Sequence, residues 1–149
     1  MKICIVASAG GHLSQLLKIA DCWRGHEIFC ITTSELVVSE LQRYGKVYTV
    51  PECNRRHPVE VAKVFADCVK TILCERPQVV ISTGAAVGCI ECILGYVTGA
   101  KIVWIDSIAN VNALSLSGRI IRYIADVFIV QWPELAEKYR KTRFARIAV

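Results

Sequence analysis

The sequence predicts an α/β fold in which a parallel β-sheet carries helices on both faces. Strand and helix patterns alternate from one end of the chain to the other, and several strands end in a glycine-containing or polar turn. The 149 residues, 54% of them hydrophobic and 21% charged, suffice for one domain with a core, and this balance excludes a disordered chain. We therefore expect a single Rossmann-like domain over residues 1–149.

The first half of the chain contains three predicted strands and three predicted helices. The strands are short, mainly apolar runs: Lys2 to Ala7, Glu27 to Thr32 and Val47 to Val50. A helix follows each of them: His12 to Trp23, Ser34 to Arg43 and Val59 to Glu75. The third helix has a predicted buried stripe of Val61, Phe65, Cys68 and Ile72. Its predicted solvent-exposed side consists of Glu60, Lys63, Asp67 and Lys70.

The second half repeats this alternation. The predicted strands are Val79 to Ser82, Lys101 to Ile105 and Val127 to Gln131, with a short strand to close the chain. The predicted helices are Val87 to Thr98, Ser115 to Ala125 and one that starts at Pro133. The apolar window Ala85 to Val97 is shorter than the about 20 residues of a membrane span. We therefore expect a buried helix there, with Glu91 at its edge beside a partner.

Cysteine usage and charge narrow the classes of function. Most of the eight cysteines lie in apolar segments and no export signal is recognisable, so we expect reduced thiols in a cytosolic setting. Cys89 and Cys92 form one CxxC spacing without a second pair, and no metal or cofactor is expected. The net charge of +5 fits anionic lipid or a phosphate-bearing substrate, whereas no aromatic–basic pattern of a nucleic-acid platform occurs.

Ligands of such sheets bind at the carboxyl ends of the strands, where the first candidate site follows strand one. Gly10 and Gly11 allow close approach of a ligand to the backbone, and a helix N-terminus there can bind phosphate. His12 can bind phosphate or act as a base near neutral pH. The spacing matches neither the dinucleotide fingerprint nor a P-loop. A tight turn without ligand and a structural histidine are the alternatives.

Two further candidate turns follow strands four and five. Ser82, Thr83 and Gly84 offer hydroxyls and a glycine that could hold a second phosphate, or form an ordinary turn. Asp106 is placed to hold a sugar hydroxyl or to assist a base, and Asn110 to hydrogen-bond sugar. The alternatives are a helix-capping aspartate and an asparagine that satisfies only its own loop.

Several short motifs, taken in order, carry a family resemblance. They are Gly10-Gly11-His12-Leu13, Ser82-Thr83-Gly84, Asp106-Ser107, Leu114-Ser115-Leu116-Ser117-Gly118-Arg119, Ala125-Asp126 and Gln131-Trp132-Pro133-Glu134-Leu135. Together they resemble the membrane-side subunit of the split N-acetylglucosaminyltransferase that adds the second sugar of the dolichol-linked glycan. Bacterial relatives build exopolysaccharide and capsule. The Gly-Gly-His string also resembles the first domain of the single-chain enzyme that makes lipid II.

The resemblance implies a fold and a role. The fold is the N-terminal, acceptor-side domain of a GT-B glycosyltransferase, whose UDP-sugar binds to a separate partner subunit. The acceptor is a polyprenyl-diphosphate-linked sugar at the cytoplasmic face of the plasma membrane. Gly10, Gly11, Ser82, Thr83, Gly84 and Asn110 then bind the acceptor and its diphosphate, and His12 is the base, with Asp106 orienting or replacing it.

The chain begins directly at its first strand, so we expect no transmembrane anchor, a bacterial origin and peripheral membrane contact. Ile120, Ile121 and Ile124 with Arg119 and Arg122 suggest an interfacial helix face, unless the isoleucines are core residues. The helix from Val59, preceded by Arg55 and Arg56, is the competing membrane contact. Two other functions stay open: a non-catalytic scaffold that recruits a partner to the membrane, and a free-standing sugar-nucleotide-binding domain.

Overall fold

The computed structural model describes residues 1–52 and 58–147, so Arg55, Arg56 and His57 lie outside the described residues. Its strands form one sheet in the order β3-β2-β1-β4-β5-β6-β7, and neighbouring strands are parallel throughout. The strands are β1 (Lys2–Ala7), β2 (Glu27–Thr32), β3 (Lys46–Thr49), β4 (Val79–Ser82), β5 (Lys101–Ile105), β6 (Val127–Val130) and β7 (Arg143–Phe144). The chain therefore winds outward from β1 in both directions, as in doubly wound folds.

Helices cover both faces of the sheet, as predicted. They are α1 (Gly11–Leu17), α2 (Val38–Leu41), α3 (Pro58–Glu75), α4 (Ala85–Val97), α5 (Leu116–Ile121) and α6 (Pro133–Lys138). One core cluster joins the sheet to α1 and α2 through Leu16 and Leu41. The other joins it to α3 to α6, with Cys68, Cys92 and Leu135 among its buried residues.

The first predicted helix is shorter than expected. It ends at Leu17, and a separate 3-10 turn, Ala20–Trp23, follows. The tighter turn places Trp23 in the core, where only 2% of its surface is exposed. The helix predicted to reach Ala125 likewise ends at Ile121, and a turn leads into β6.

One predicted buried residue of α3 is wrong. The side chain of Phe65 is 47% exposed, and Val64 takes its place in the core. The buried side of the helix is therefore rotated by one position from the predicted stripe, with Val64, Cys68, Thr71, Ile72 and Glu75 as its buried residues. The predicted charged side, in contrast, is exposed.

Two ion-paired carboxylates lie at the amino ends of the strands. Glu75 accepts hydrogen bonds from Lys2, Tyr48 and Lys46, and the Lys2 ammonium, followed by the Tyr48 hydroxyl, lowers the pKa of Glu75 to about 2 against the opposing effect of burial. Asp126 accepts from Lys101 Nζ at 2.8 Å and from a β5 backbone N–H at 2.9 Å, and the lysine is the main cause of its lowered pKa. Ion pairs thus stabilise the amino edge of the sheet, the edge formed by the amino ends of its strands.

None of the helices in the described part of the chain combines the length and apolar character that crossing a bilayer requires.

Candidate active site

A cavity of about 570 Å³ opens at the carboxyl ends of β4 and β5, between α4 and α5. His12, Thr83, Gly84, Asp106 and Asn110 all line it, so the structure brings together residues that lie far apart in the sequence. Most of its other lining residues are apolar and come from helices: Val61, Ala85, Ala86, Cys89, Ile90, Leu116 and Ile120. Ser107 and Ala109 of the loop after β5, with Ser115 and Ser117 at the start of α5, complete the lining. The cavity is therefore polar near the sheet and apolar towards the helix surface.

His12 is the second residue of α1, and its side chain contacts the turn that follows β4. Its Nδ1 lies 2.9 Å from the carbonyl oxygen of Thr83, and the Thr83 hydroxyl donates to the carbonyl of His12 at 2.8 Å. Gly84 lies directly beneath the imidazole, since a Cβ built on it would come within 2.7 Å of Cε1. This contact explains why a glycine is needed there.

The hydroxyls of the second candidate turn are occupied within the fold. Ser82 is fully buried, and its Oγ accepts from the backbone N–H of Gly84 at 3.2 Å. Thr83 is also fully buried, and its hydroxyl is used by His12. Their geometry favours support of the turn over the phosphate binding expected from the sequence.

Gly10 and Gly11 are exposed beside the cavity but do not line it. Gly10 has a φ of +94°, a left-handed conformation that favours glycine, and a Cβ on either residue would meet nothing within 4 Å. The space around this turn, on the outer side of His12, is therefore open. A role in holding phosphate therefore remains a proposal for these two residues.

Asp106 is 1% exposed, and donors of its own loop and strand occupy both its carboxylate oxygens. Oδ1 accepts from the Ser115 hydroxyl at 2.6 Å and from Trp104 Nε1 at 3.2 Å. Oδ2 accepts from the Ser115 backbone N–H and from Asn110 Nδ2, both at 3.1 Å. None of these donors belongs to His12. The arrangement favours the alternative interpretation of Asp106 as a residue that anchors the loop.

Two side chains that sequence reasoning missed complete this anchor. Ser115 caps α5, with its Oγ accepting from the Gly118 backbone N–H at 2.8 Å while its hydroxyl donates to Asp106. Gln131 is 2% exposed and donates to the carbonyl of Asp106 and to Gln15 Oε1. A serine directly before a helical pattern is a signal for a cap, but the partner of Gln131 follows only from the fold.

The expected position of Glu91 at a helix edge is wrong. It lies in the interior of the fold and is fully buried, not at a helix edge. Burial raises the pKa of Glu91 to about 7, and the neighbouring Cys68 thiol has a smaller opposing effect. Because Gly88 and Gly95 bring α4 close to the sheet, this side of the helix has no route to solvent.

The apolar face expected on α5 is also partly wrong. Ile121 is fully buried and Ile124 packs against the core. The exposed residues of this region are instead Leu116 (54%), Ile120 (51%) and Tyr123 (71%), spaced as neighbours on one helical face. The guanidinium of Arg122 lies 4.9 Å from the ring centroid of Tyr123.

Within residues 1–52 and 58–147, no group of three or more histidine, cysteine or acidic side chains is arranged to hold a metal ion.

Solved structures share this fold. The chain superposes on MurG from Acinetobacter baumannii with a TM-score of 0.79 at 12% identity, covering 99% of this chain and 46% of MurG. A glycosyltransferase from Rickettsia africae gives a TM-score of 0.68 at 15% identity, covering 97% of this chain and 42% of that protein. The chain thus spans less than half the length of these enzymes. The predicted fold class, the Rossmann-like N-terminal half of a GT-B glycosyltransferase, is confirmed.

Sequence comparisons identify the family. The model of the family described as "Oligosaccharide biosynthesis protein Alg14 like" matches residues 3–148. The UDP-N-acetylglucosamine transferase subunit ALG14 of Yarrowia lipolytica is 30% identical, covering 99% of this chain and 81% of that protein. The mouse protein of the same name is 28% identical, over 95% of this chain and 80% of its own length. The chain therefore belongs to the Alg14-like family of oligosaccharide biosynthesis proteins.

Proposed function

We propose that the chain is the acceptor-side subunit of a two-component inverting glycosyltransferase that uses a UDP-sugar held by a separate donor-binding subunit. Its relatives are named as subunits of a UDP-N-acetylglucosamine transferase. Its fold corresponds to less than half of the single-chain enzymes it superposes on. Half of such a fold provides one wall of a cleft, and the relatives' name as subunits supports a partner that provides the other wall.

The observation that carries this proposal is the cavity, which joins His12 to an apolar groove. A polyprenyl-diphosphate-linked sugar has a polar head and an apolar tail. The polar part of the cavity near the sheet would suit the head, and the adjoining apolar part would suit the tail. The diphosphate and sugar would lie near His12, Gly10, Gly11 and Asn110. The first isoprene units would lie between Ile90, Leu116 and Ile120.

His12 is the base of the proposed reaction. Its imidazole accepts the proton of the acceptor hydroxyl as that oxygen forms a bond to the anomeric carbon of the donor. The bond from this carbon to the diphosphate oxygen breaks on the opposite side, the carbon inverts, and UDP leaves with the partner subunit. Asp106 keeps the loop around the site in place, because four donors of that loop and of β5 already occupy its oxygens.

Peripheral contact with the cytoplasmic face of the plasma membrane fits the surface beside the cavity. Leu116 and Ile120 of α5 and Tyr123 of the following turn are exposed, and Arg119 is exposed between them. Arg122 donates to the carbonyl of Arg140, which brings the basic segment 138–146 to the same surface. The competing helix, α3, exposes Glu60 and Asp67 together with Lys63 and Lys70, so this side of the helix carries no net positive charge to attract anionic lipid.

A bilayer test separates the two surfaces. Ile120→Asp should reduce co-flotation with vesicles containing anionic lipid, whereas Leu73→Asp, at an exposed apolar position near the end of α3, should not. Equal loss in both variants, or equal binding to neutral and anionic vesicles, would count against the α5 surface.

Transfer of radiolabelled sugar tests the function itself. A panel of UDP-sugars and a polyprenyl-diphosphate-linked sugar acceptor would be incubated with this chain, with the candidate donor-binding subunit of the same organism, or with both. Activity only in the mixture supports the proposal and identifies the donor sugar. Activity of the partner alone would reduce this chain to a scaffold, and activity of this chain alone would mean that it binds both substrates. The acceptor used shows whether the product is an exopolysaccharide or capsule precursor.

A further inference from the structure

The turn after β4 contacts His12 in a way that its phosphate-binding interpretation does not explain. Two hydrogen bonds join the residues in opposite directions: the imidazole Nδ1 to the Thr83 carbonyl at 2.9 Å, and the Thr83 hydroxyl to the His12 carbonyl at 2.8 Å. Thr83 itself is fully buried. The backbone and the ring of His12 are thus both tied to one residue, 71 positions away in the sequence.

The first of these bonds determines where the proton of the neutral imidazole lies. A carbonyl oxygen only accepts hydrogen bonds, so the proton of this bond belongs to Nδ1 of His12. In the neutral ring Nε2 then carries the lone pair. Among the residues that the structure describes, Nε2 has no hydrogen-bond partner, and the imidazole lines the cavity. The free nitrogen is therefore available to a ligand.

The second feature is the close approach of the backbone to the ring. A Cβ on Gly84 would lie 2.7 Å from Cε1 and 3.0 Å from Nδ1 of His12, closer than real Cβ contacts allow. Gly84 has a φ of +135° and Ala85 a φ of +65°, so two successive residues adopt left-handed conformations. The Ser82 hydroxyl accepts from the Gly84 N–H and holds this turn. Such strain persists where the surrounding structure requires it.

We propose that Thr83 and Gly84 are positioning residues, which fix the ring and the Nδ1–H tautomer of His12 so that Nε2 is the proton acceptor for the sugar hydroxyl. The inference rests on the proposed function for the identity of the proton donor. It replaces the phosphate-binding role of the Thr83 side chain, because that hydroxyl already has a partner inside the fold. The Thr83 carbonyl here has the role that a carboxylate or carbonyl has beside many catalytic and metal-binding histidines.

The tautomer can be measured without any activity. ¹⁵N chemical shifts of the imidazoles in the full-length chain, recorded at a pH at which they are neutral, distinguish a protonated from an unprotonated nitrogen. We expect His12 to show a protonated Nδ1 and an unprotonated Nε2. His26, exposed at the opposite end of the sheet, is the internal control: its Nδ1 lies 3.5 Å from the N-terminal ammonium, which only donates, so His26 should not show a protonated Nδ1. A protonated Nε2 in His12 would overturn the inference.

Variants then connect the tautomer to the rate. In the reconstituted enzyme, Thr83→Val removes only the hydroxyl and should lower kcat about fivefold with little change in the KM for the acceptor, the usual scale of one hydrogen bond. Thr83→Ser keeps the hydroxyl and should restore most of the rate. Gly84→Ala should lower kcat by roughly tenfold or more and abolish the ¹⁵N signature, because its methyl group displaces the ring.

The outcomes separate this inference from the proposed function. If the tautomer is as expected but the rate does not depend on His12, the positioning role in catalysis is wrong and so is the base. If His12 is required but Thr83→Val and Gly84→Ala leave kcat and the ¹⁵N signature unchanged, the base stands and the positioning inference is overturned. Circular dichroism of each variant confirms folding. Should Gly84→Ala fail to fold, the Thr83→Val and Thr83→Ser pair alone decides the inference.

Discussion

The two ends of the sheet are held in different ways. At the amino ends of the strands, carboxylates pair with lysines: Glu75 with Lys2 and Lys46, and Asp126 with Lys101. At the carboxyl ends, the buried Asp106 is surrounded by neutral donors, and left-handed residues support the turn under the cavity. One edge is secured by ion pairs whose lysines reach the solvent, and the other by a hydrogen-bonded loop.

The difference separates stability from function. Ion pairs that reach the solvent tolerate changes of partner, because water replaces what a mutation removes. A buried carboxylate with four neutral donors does not tolerate such a change, since a mutation of the carboxylate leaves every donor without its partner at once. The carboxyl edge is thus the edge at which side chains are most constrained, and it is also the edge that contains the cavity.

The largest effect should come from Asp106→Ala. It leaves the donors of Trp104, Asn110 and Ser115 without a partner, and we expect a loss of about 3–4 kcal/mol in the free energy of unfolding. Asp126→Ala, the matched change at the amino edge, should cost only about 1 kcal/mol, because Lys101 is largely exposed. Urea denaturation measures both. Equal losses would remove the contrast between the edges, and an inactive but fully stable Asp106→Ala variant would return Asp106 to catalysis.

Next comes His12→Ala, a test of function at the carboxyl edge. We expect a drop of roughly 100-fold or more in kcat of the reconstituted enzyme, the usual scale for a general base, with little change in melting temperature. His26→Ala replaces an exposed histidine at the amino edge and should leave the rate unchanged. A rate for His12→Ala within a few-fold of wild type would refute the role of this residue as the base.

Glu75→Gln probes the charge of the amino edge. The folded-state pKa of about 2 lies below the ordinary 4.5, so the stability that this carboxylate contributes is present above pH 4.5 and is lost as the pH falls towards 2. At pH 7 we expect the variant to lose about 1–3 kcal/mol, between the values for exposed and buried pairs. At the acid end of this window the two proteins should converge. A constant difference at all pH values would assign the loss to packing instead.

The smallest effect is expected from Glu91→Gln, and it has the opposite sign. Here the folded-state pKa of about 7 lies above 4.5, so the folded state binds more protons and stability falls as the pH rises from 4.5 to 7. The substituted amide cannot ionise, and at pH 8 we expect a gain of about 1–2 kcal/mol after the cost of burying that amide. Thermal melts at pH 5 and pH 8 measure it. A variant with the same pH slope as wild type would show that Glu91 does not cause the slope.

The sequence predicted the fold well because its signals are local. Alternating patterns and glycine turns located most strands to within one residue, and Pro133 marked a helix start correctly, whereas Ser34 caps a 3-10 turn, Glu35–Val37, that precedes α2. The errors occur where packing decides. Phe65 has the right spacing for the buried side of α3, but Val64 is the residue that packs into the core. Glu91 is buried because glycines let its helix approach the sheet, which hydrophobic periodicity does not reveal.

Five of the predicted site residues line one cavity, whereas Gly10, Gly11 and Ser82 do not, and the roles of all of them stay predictions. His12, Thr83, Gly84, Asp106 and Asn110 line one cavity because the carboxyl ends of parallel strands share an edge. The partners of each polar atom, however, come from distant segments. Nothing near Thr83 in the sequence indicates that its hydroxyl is engaged by His12, so a buried threonine and a phosphate ligand look alike there.

The position of β1 in the sheet also has a consequence for how the chain folds on the ribosome. This strand pairs with β2 on one side and with β4 on the other, and its first residue hydrogen-bonds to Gln78, 76 residues later. During synthesis the edge of β1 that pairs with β4 therefore stays unpaired until β4 has left the ribosome. Closing that long loop is the slow step that topology predicts, and until then the nascent chain presents an edge that chaperones recognise.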